Sequence, residues 1–233
     1  MLRSLLDRFR RTLPSQCAVC GAWPAEPLCA DCLGRYAMPL PRCPRCALPV
    51  AAPARPCGAC LREPPPLQSC LAAVPYDYPW NDLIARYKFG ADPGWALVLA
   101  PLMHRAAGAA QTLRQADLVL PVPLSRERLR QRGFNQALEL ARQLAPQQTR
   151  ADVLLRARDT PAQSTLPREQ RLRNMRGAFT LAPEQGAAVR ARRVLLIDDV
   201  MTTGATLHAA AHVLLAAGAT AVDALVLARA AAG

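Results

Sequence analysis

The chain has 233 residues, 52% of them apolar, and sets 29 Lys and Arg against 17 Asp and Glu for a formal net charge of +12. That length suits one medium domain with a small appendage and leaves chain enough to bury a core. No charge-free apolar run approaches the roughly 18 residues that a membrane span requires, and a positive balance of this size gives affinity for any polyanion without naming one.

The first segment, residues 1–16, is predicted as an amphipathic helix. Leu2, Leu5, Leu6, Phe9 and Leu13 share one stripe, with Arg3, Arg8, Arg10 and Arg11 largely away from it. It lacks the continuous apolar stretch of a secretory signal, and packing on its own protein is the expected fate. Next come four C-x-x-C pairs, Cys17/Cys20, Cys29/Cys32, Cys43/Cys46 and Cys57/Cys60. A uniform two-residue gap lets paired thiolates clamp one tetrahedral Zn²⁺. Residues 17–63 therefore read as a double zinc ribbon. One structural ion is assigned to Cys17, Cys20, Cys29 and Cys32 and the other to Cys43, Cys46, Cys57 and Cys60, since neighbouring pairs close the shortest loops; an interleaved pairing stays open. Cys70 reads as a small buried hydrophobe. Reduced thiolates without a signal point to the cytoplasm.

Pro64 to Leu67 ends the module, and residues 70–233 read as a second domain. A strand is expected at Leu71 to Tyr78 and helices at Trp80 to Lys88 and Trp95 to Ala107, with Lys88 and Phe89 in a loop-like context before Gly90 and Lys88 taken as solvated. Leu118 to Leu120 make a strand stopped by Pro121 and Pro123. The basic run Arg126, Arg128, Arg130 and Arg132 then leads through Gly133, Phe134, Asn135 and Gln136 into a helix that ends at Leu144. Val153 to Leu155 and Ala219 to Leu227 are further strands. Alternation of strands and helices implies an open, largely parallel α/β sheet that binds ligands beyond its strand carboxyl ends.

The most informative stretch is Val194 to Thr206, VLLIDDVMTTGAT. Val194 to Ile197 suit a strand buried on both faces. Asp198 and Asp199 follow, then a Thr- and Gly-rich turn that feeds a helix, so that backbone N–H groups and Thr hydroxyls converge where a phosphate would sit. The acids are suited to sugar hydroxyls, or to Mg²⁺ held through its waters.

This order of strand, acid pair, turn and helix resembles the phosphoribosyl pyrophosphate (PRPP) signature of the type I phosphoribosyltransferases. The resemblance implies that Asp198 and Asp199 contact the ribose hydroxyls. It implies too that Met201, Thr202, Thr203, Gly204, Ala205 and Thr206 wrap the 5′-phosphate, and that Pro121, Val122, Pro123, Leu124 and Ser125 receive the pyrophosphate. With the N-terminal C-x-x-C pairs, the text QRGFNQ at Gln131 to Gln136 is similar to that of the ComF family of competence-associated proteins, including its GntX-like members, from Cys17 to Ala228. In that family Ala157 to Phe179 corresponds to a mobile loop over PRPP, here bearing Arg168, Arg171 and Arg176. The zinc module is expected to cap the rim, where biosynthetic relatives carry a base-reading hood. The implied reaction is displacement of pyrophosphate at C1 of the ribose with Mg²⁺. It needs no protein nucleophile, so Ser125, His104, His208 and His212 receive no catalytic role. Three functions remain: a transferase with an unnamed acceptor, a PRPP-binding sensor or interaction module without catalysis, and a nucleic-acid binder acting on single-stranded DNA or with competence proteins.

Overall fold

The computed structural model describes residues 15–51, 55–157 and 177–231. The expected N-terminal helix lies outside these residues, as do Arg168, Arg171 and Arg176. The chain divides into two units, Met1–Met38 and Pro39–Gly233, so the boundary falls between the second and third C-x-x-C pairs.

In the first unit a bridge joins Ser15 to Ala25 and a short helix α1, Ala30–Tyr36, closes the segment. Cys29 is the N-cap of that helix, and its sulfur accepts from the Cys32 N–H. The cap therefore satisfies one of the orphan donors of the first turn with a ligand-type atom. The second unit begins the same way, with a bridge between Arg42 and Pro49 and a helix α2, Gly58–Arg62, whose N-cap is Cys57.

Four strands then form one parallel sheet in the order β1-β6-β5-β2: β1 Ser69–Pro75, β2 Leu118–Pro121, β5 Arg193–Met201 and β6 Ala221–Arg229. The two central strands are covered on both faces, which is why they read as nearly continuous apolar runs rather than alternating ones. Helices α3 (Trp80–Phe89), α4 (Trp95–His104) and α5 (Ala109–Gln115) link β1 to β2. Helices α6 (Arg126–Arg132) and α7 (Gln136–Leu144) follow β2, and α9 (Ala205–Ala216) joins β5 to β6. An antiparallel pair, β3 (Leu154–Arg156) and β4 (Phe179–Leu181), stands apart from the main sheet, and a single turn of helix α8, Gly186–Val189, precedes β5. The architecture is the α/β parallel sheet flanked by helices that the sequence implies.

Register decides where chemistry can occur. Pro121 lies opposite Ile197 and Met201 opposite Arg229, so β2 and β5 deliver their carboxyl ends to one edge. Two elements run further than the sequence reading allows. Strand β5 continues through both aspartates to Met201 instead of ending at Ile197, because β6 extends in parallel to Arg229 and supplies it with a ladder. Lys88 and Phe89 occupy the last turn of α3 instead of a loop, and the helix stops at Gly90, whose N–H reaches the Arg86 carbonyl at 2.7 Å. A Cβ at Gly90 would lie 2.6 Å from that same oxygen, so glycine is required there.

Candidate functional site

The site is built on the end of β5. Asp199 is nearly buried, and its Oδ1 lies 3.1 Å from Lys88 Nζ. Lys88 is therefore not the solvated lysine that its local sequence suggests. The last turn of α3 aims it at the acid pair, with only 17% of its side chain exposed. Asp198 accepts the Asp199 backbone N–H at 2.9 Å. Burial, and then the adjacent Asp199 charge, push the Asp198 carboxyl up to about 7, against the opposing pull of that N–H and of Lys88.

Beyond Met201 the chain turns through Thr202 and Thr203 to Gly204, which caps α9 in the left-handed region at φ +84. Thr203 Oγ1 accepts the Ala205 N–H at 3.4 Å. A cavity of about 40 Å³ opens here, lined by Asp198, Met201, Thr202, Gly204, Ala205 and Thr206 among others. Asp198, turn and helix start therefore meet in one concavity. Met201 itself is buried, with its sulfur 3.4 Å from the Cys70 Sγ. Cys70 is 1% exposed, and burial pushes its thiol up to about 12, as suits a core residue.

The proline loop lies on the same edge. The Val122 N–H continues the β2–β5 ladder to the Ile197 carbonyl at 2.9 Å, and Ser125 caps α6 by accepting the Arg128 N–H. Pro121, Val122 and Ser125 are buried, while Pro123 and Leu124 are half-buried. The QRGFNQ text is the brace of this loop. Gly133 ends α6 at φ +78, and Asn135 caps α7 through the N–H groups of Ala137 and Leu138. The Asn135 Nδ2 group donates back to the Val122 carbonyl at 3.1 Å. The Phe134 ring lies 5.5 Å from that of Tyr87, whose hydroxyl donates to the Gln136 carbonyl at 2.9 Å. Burial lowers the Arg132 pKa, while the charges of Asp199 and, more weakly, Asp198 support its protonated form, which places this guanidinium in the field of the acid pair. Arg132 also bonds Gln136 Oε1 at 2.9 Å and stands 5.4 Å over the Phe89 ring.

Both cysteine clusters fit a tetrahedral metal. In each, the four sulfurs lie within 4.8 Å of one another, and the sets are the neighbouring ones: Cys17, Cys20, Cys29, Cys32, and Cys43, Cys46, Cys57, Cys60. A Zn–S distance of about 2.3 Å sets tetrahedral sulfurs about 3.8 Å apart. The observed separations are 3.8 Å for Cys17 and Cys32, 3.7 Å for Cys20 and Cys29, and 3.7 Å for Cys46 and Cys57. Backbone N–H groups also point at sulfur, Cys29 at Cys17 and Cys57 at Cys43. Burial alone would raise the Cys17 and Cys43 thiols, but these and neighbouring amides outweigh it and bring them to about 6 and about 7. Cys46 moves the other way, to about 11, chiefly through burial. Such a set holds a divalent cation by releasing the remaining protons.

Two residues of this site escape a reading of the sequence. Lys88 carries a weak signal, its place at the end of a helix before a glycine. Arg229 carries a better one, a lone cation terminating the apolar run AVDALVLAR. It is 5% exposed and bonds the carbonyls of Cys46, Met201, Thr202 and Ala230.

A parallel α/β sheet carrying this acid pair and Thr- and Gly-rich turn defines a phosphoribosyltransferase-domain protein, and the family model for the phosphoribosyl transferase domain matches residues 129–233. Similarity extends well beyond that domain. The chain is 34% identical to the DNA utilization protein YhgH of Escherichia coli K12, over 94% of this chain and 98% of the relative. It is 32% identical to competence protein F of Haemophilus influenzae, over 87% and 90%, and 32% identical to competence protein ComFC of Bacillus subtilis, over 60% and 57%. The chain belongs to the ComF family. Among its described residues, no helix is long and apolar enough to cross a membrane.

Proposed function

We propose that this protein binds PRPP with Mg²⁺ and transfers the phosphoribosyl group to an acceptor, with release of pyrophosphate. The observation that carries this reading is the convergence of the acid pair, the Met201 to Thr206 turn and the Pro121 to Ser125 loop on one sheet edge. Asp198 and Asp199 would accept from the ribose hydroxyls, the turn would take the 5′-phosphate on its N–H groups, and the proline loop would receive the pyrophosphate. Mg²⁺, when bound, supplies charge neutralisation on the pyrophosphate oxygens. In the transfer the bond from C1 to the pyrophosphate oxygen breaks with its electron pair on pyrophosphate. A bond from C1 to the acceptor forms, and the acceptor's proton leaves to solvent. The chain's contribution is positioning and fixed charge, to which Lys88 and Arg132 both add. The two four-cysteine clusters are assigned to structural Zn²⁺, and their reduced thiols suit a cytoplasmic protein. Calorimetry with PRPP and Mg²⁺, followed by pyrophosphate release against a panel of metabolites and oligonucleotides, tests the reading. Absence of PRPP binding by metal-loaded protein overturns it.

A second reading has its own support. Helix α6 has no buried residue, Arg126 and Arg130 are exposed, and Arg132 of the same helix stands over the ring of an exposed aromatic, Phe89. A basic helix next to an exposed ring is what stacking on single-stranded nucleic acid uses, and the names of the relatives refer to DNA utilization and competence. Oligonucleotide binding that weakens steeply with salt and is lost on Phe89→Ala would favour it.

A further inference from the structure

The second four-cysteine cluster and the phosphate turn are joined by one side chain. Arg229 lies at the carboxyl end of β6. Its Nε donates to the Cys46 carbonyl at 2.7 Å, and its Nη1 donates to the Met201 carbonyl at 3.1 Å, to the Ala230 carbonyl and to the Thr202 carbonyl. One buried guanidinium thus spans from the metal knuckle to the first two residues of the turn. The surroundings repeat the link. The Cys70 N–H donates to the Pro44 carbonyl at 2.9 Å, the Cys70 sulfur touches Met201, and Cys43, Cys46, Ala47 and Cys60 share one core with Met201 and Ala205.

Charge gives the link its direction. A metal-loaded tetrathiolate is net negative, since four thiolates outweigh one divalent cation. Arg229 is the buried cation beside it, and Arg42 and Arg45 are half-buried, Arg42 donating to the Ala47 carbonyl at 3.0 Å and Arg45 to the Leu67 carbonyl at 2.9 Å. Without metal the knuckle loses the closed four-sulfur shell that fixes the Cys46 carbonyl under Arg229 Nε.

We propose that Arg229 is the positioning residue of the phosphate turn, holding Met201 and Thr202 in place from the second metal knuckle, so that metal at that knuckle and anion at the turn stabilise one another. The consequence for PRPP rests on the function proposed above, whereas the link between knuckle and turn does not. Coupling between two sites is reciprocal.

The test uses full-length, metal-loaded protein and the variants Arg229→Met and Arg229→Lys. Amide exchange is read across Met201 to Thr206 without any ligand, and metal release to a chromogenic chelator is read as two phases. Arg229→Met should still carry two metal ions, yet its turn should exchange about tenfold faster, the usual scale for losing a charged hydrogen-bond partner. One release phase should quicken by a similar factor while the other is unchanged. Arg229→Lys should recover part of both effects because it keeps the charge and a donor. In the wild type PRPP with Mg²⁺ should slow that same release phase, and in Arg229→Met it should not. Wild-type exchange in the turn of Arg229→Met, or equal quickening of both release phases, overturns the proposal. If Arg229→Met does not fold, turn exchange in Arg229→Lys decides by itself. If the link appears in exchange and release but PRPP binds no variant, the proposed function fails and this inference stands.

Discussion

The two four-cysteine clusters repeat one small structure. Each has a C-x-x-C turn, a residue at positive φ just after it (Gly21 at 75, Ala47 at 57), and a short helix capped by the third cysteine. Their settings differ. In the first unit the buried residues among those described are Cys17, Leu28 and Cys32, two of them ligands. The second cluster places Cys43, Cys46, Ala47 and Cys60 in a core continuous with Leu120, Leu196 and Val226 of the sheet. The same cysteine pattern therefore suits two jobs: a metal at the first cluster would organise loops with little core of their own, and one at the second would complete the core of the parallel-sheet domain.

The sharpest way to break this contrast is to remove one ion at a time. Cys57→Ser and Cys17→Ser should each lose about one zinc per chain by metal analysis. Structural zinc contributes an apparent ~10–16 kcal/mol to a small metal-dependent fold. Losing it from the second knuckle should abolish the cooperative unfolding of the phosphoribosyltransferase domain or lower it by several kcal/mol. Cys17→Ser should leave that transition in place. Equal falls in Tm for the two variants would mean that the two settings are not different in kind.

Gly204→Val attacks the turn and spares the knuckle. Gly204 sits at φ +84, and a Cβ there would lie 2.6 Å from Met201 Cε and 2.8 Å from His208 Nε2. A β-branched side chain incurs both the left-handed penalty of about 1–2 kcal/mol and an overpacking cost of about 1–3 kcal/mol. We expect two zinc ions per chain, a lower Tm and no calorimetric binding of PRPP. The physical reason is crowding from Met201 and His208, in addition to the space that a phosphate needs. Undiminished PRPP affinity would detach the turn from phosphate binding.

How much of this was legible in the sequence depends on the range of the interaction. Runs such as Val194 to Ile197, the acid pair, the Gly204 turn and the cysteine spacing announce themselves locally, since strand burial, helix entry and metal geometry are set by neighbours in the chain. The grouping of cysteines in neighbouring sets was also legible, because short loops close most easily. The extension of β5 to Met201 was not, since it needs β6 as a partner. Lys88 and Arg229 act across 111 and 183 residues of sequence, on Asp199 and Cys46 respectively, and no window along the chain contains both ends of either contact.

The acid pair offers a subtler contrast, between a group tied to the site's charges and the metal knuckle beside it. Asp199→Asn removes the partner of Lys88 and should weaken PRPP binding by about 1–3 kcal/mol with zinc content unchanged. Asp198 adds a pH dependence. Ribose hydroxyls need an ionised acceptor, and the Asp198 carboxyl holds its proton up to about 7. Affinity should therefore fall about tenfold for each pH unit below that point, and Asp198→Asn should flatten the profile. Stability of the free protein carries the opposite sign. The native state keeps the Asp198 proton to about 7, whereas the unfolded chain releases it near ~3.9. Over that window the native state binds more protons, so this group makes the protein less stable as pH rises. A PRPP profile that is level from pH 5 to 8 in the wild type would remove Asp198 from the ribose.

The smallest effect expected is at Asn135, and it separates the two loops of the proposed site by what holds them. The Met201 to Thr206 turn is tied to the second cysteine cluster through Arg229, while the proline loop is tied to α7 through Asn135. That side chain accepts from the Ala137 and Leu138 N–H groups at 3.0 and 3.4 Å and donates to the Val122 carbonyl at 3.1 Å. Asn135→Ala removes a helix cap worth about 1 kcal/mol and frees one carbonyl of the loop. The helix should survive, since Ala137, Leu140 and Ala141 are buried against the domain. Tm should drop by a few degrees, roughly 2–4 °C for a domain of this size. The binding data should split by ligand. Pyrophosphate with Mg²⁺ should bind more weakly, because its loop has lost a brace, while ribose 5-phosphate, which reaches only the turn and the acid pair, should bind as before. Metal release should keep both wild-type phases. If ribose 5-phosphate weakens as much as pyrophosphate, the two loops share one support and the division between them is wrong.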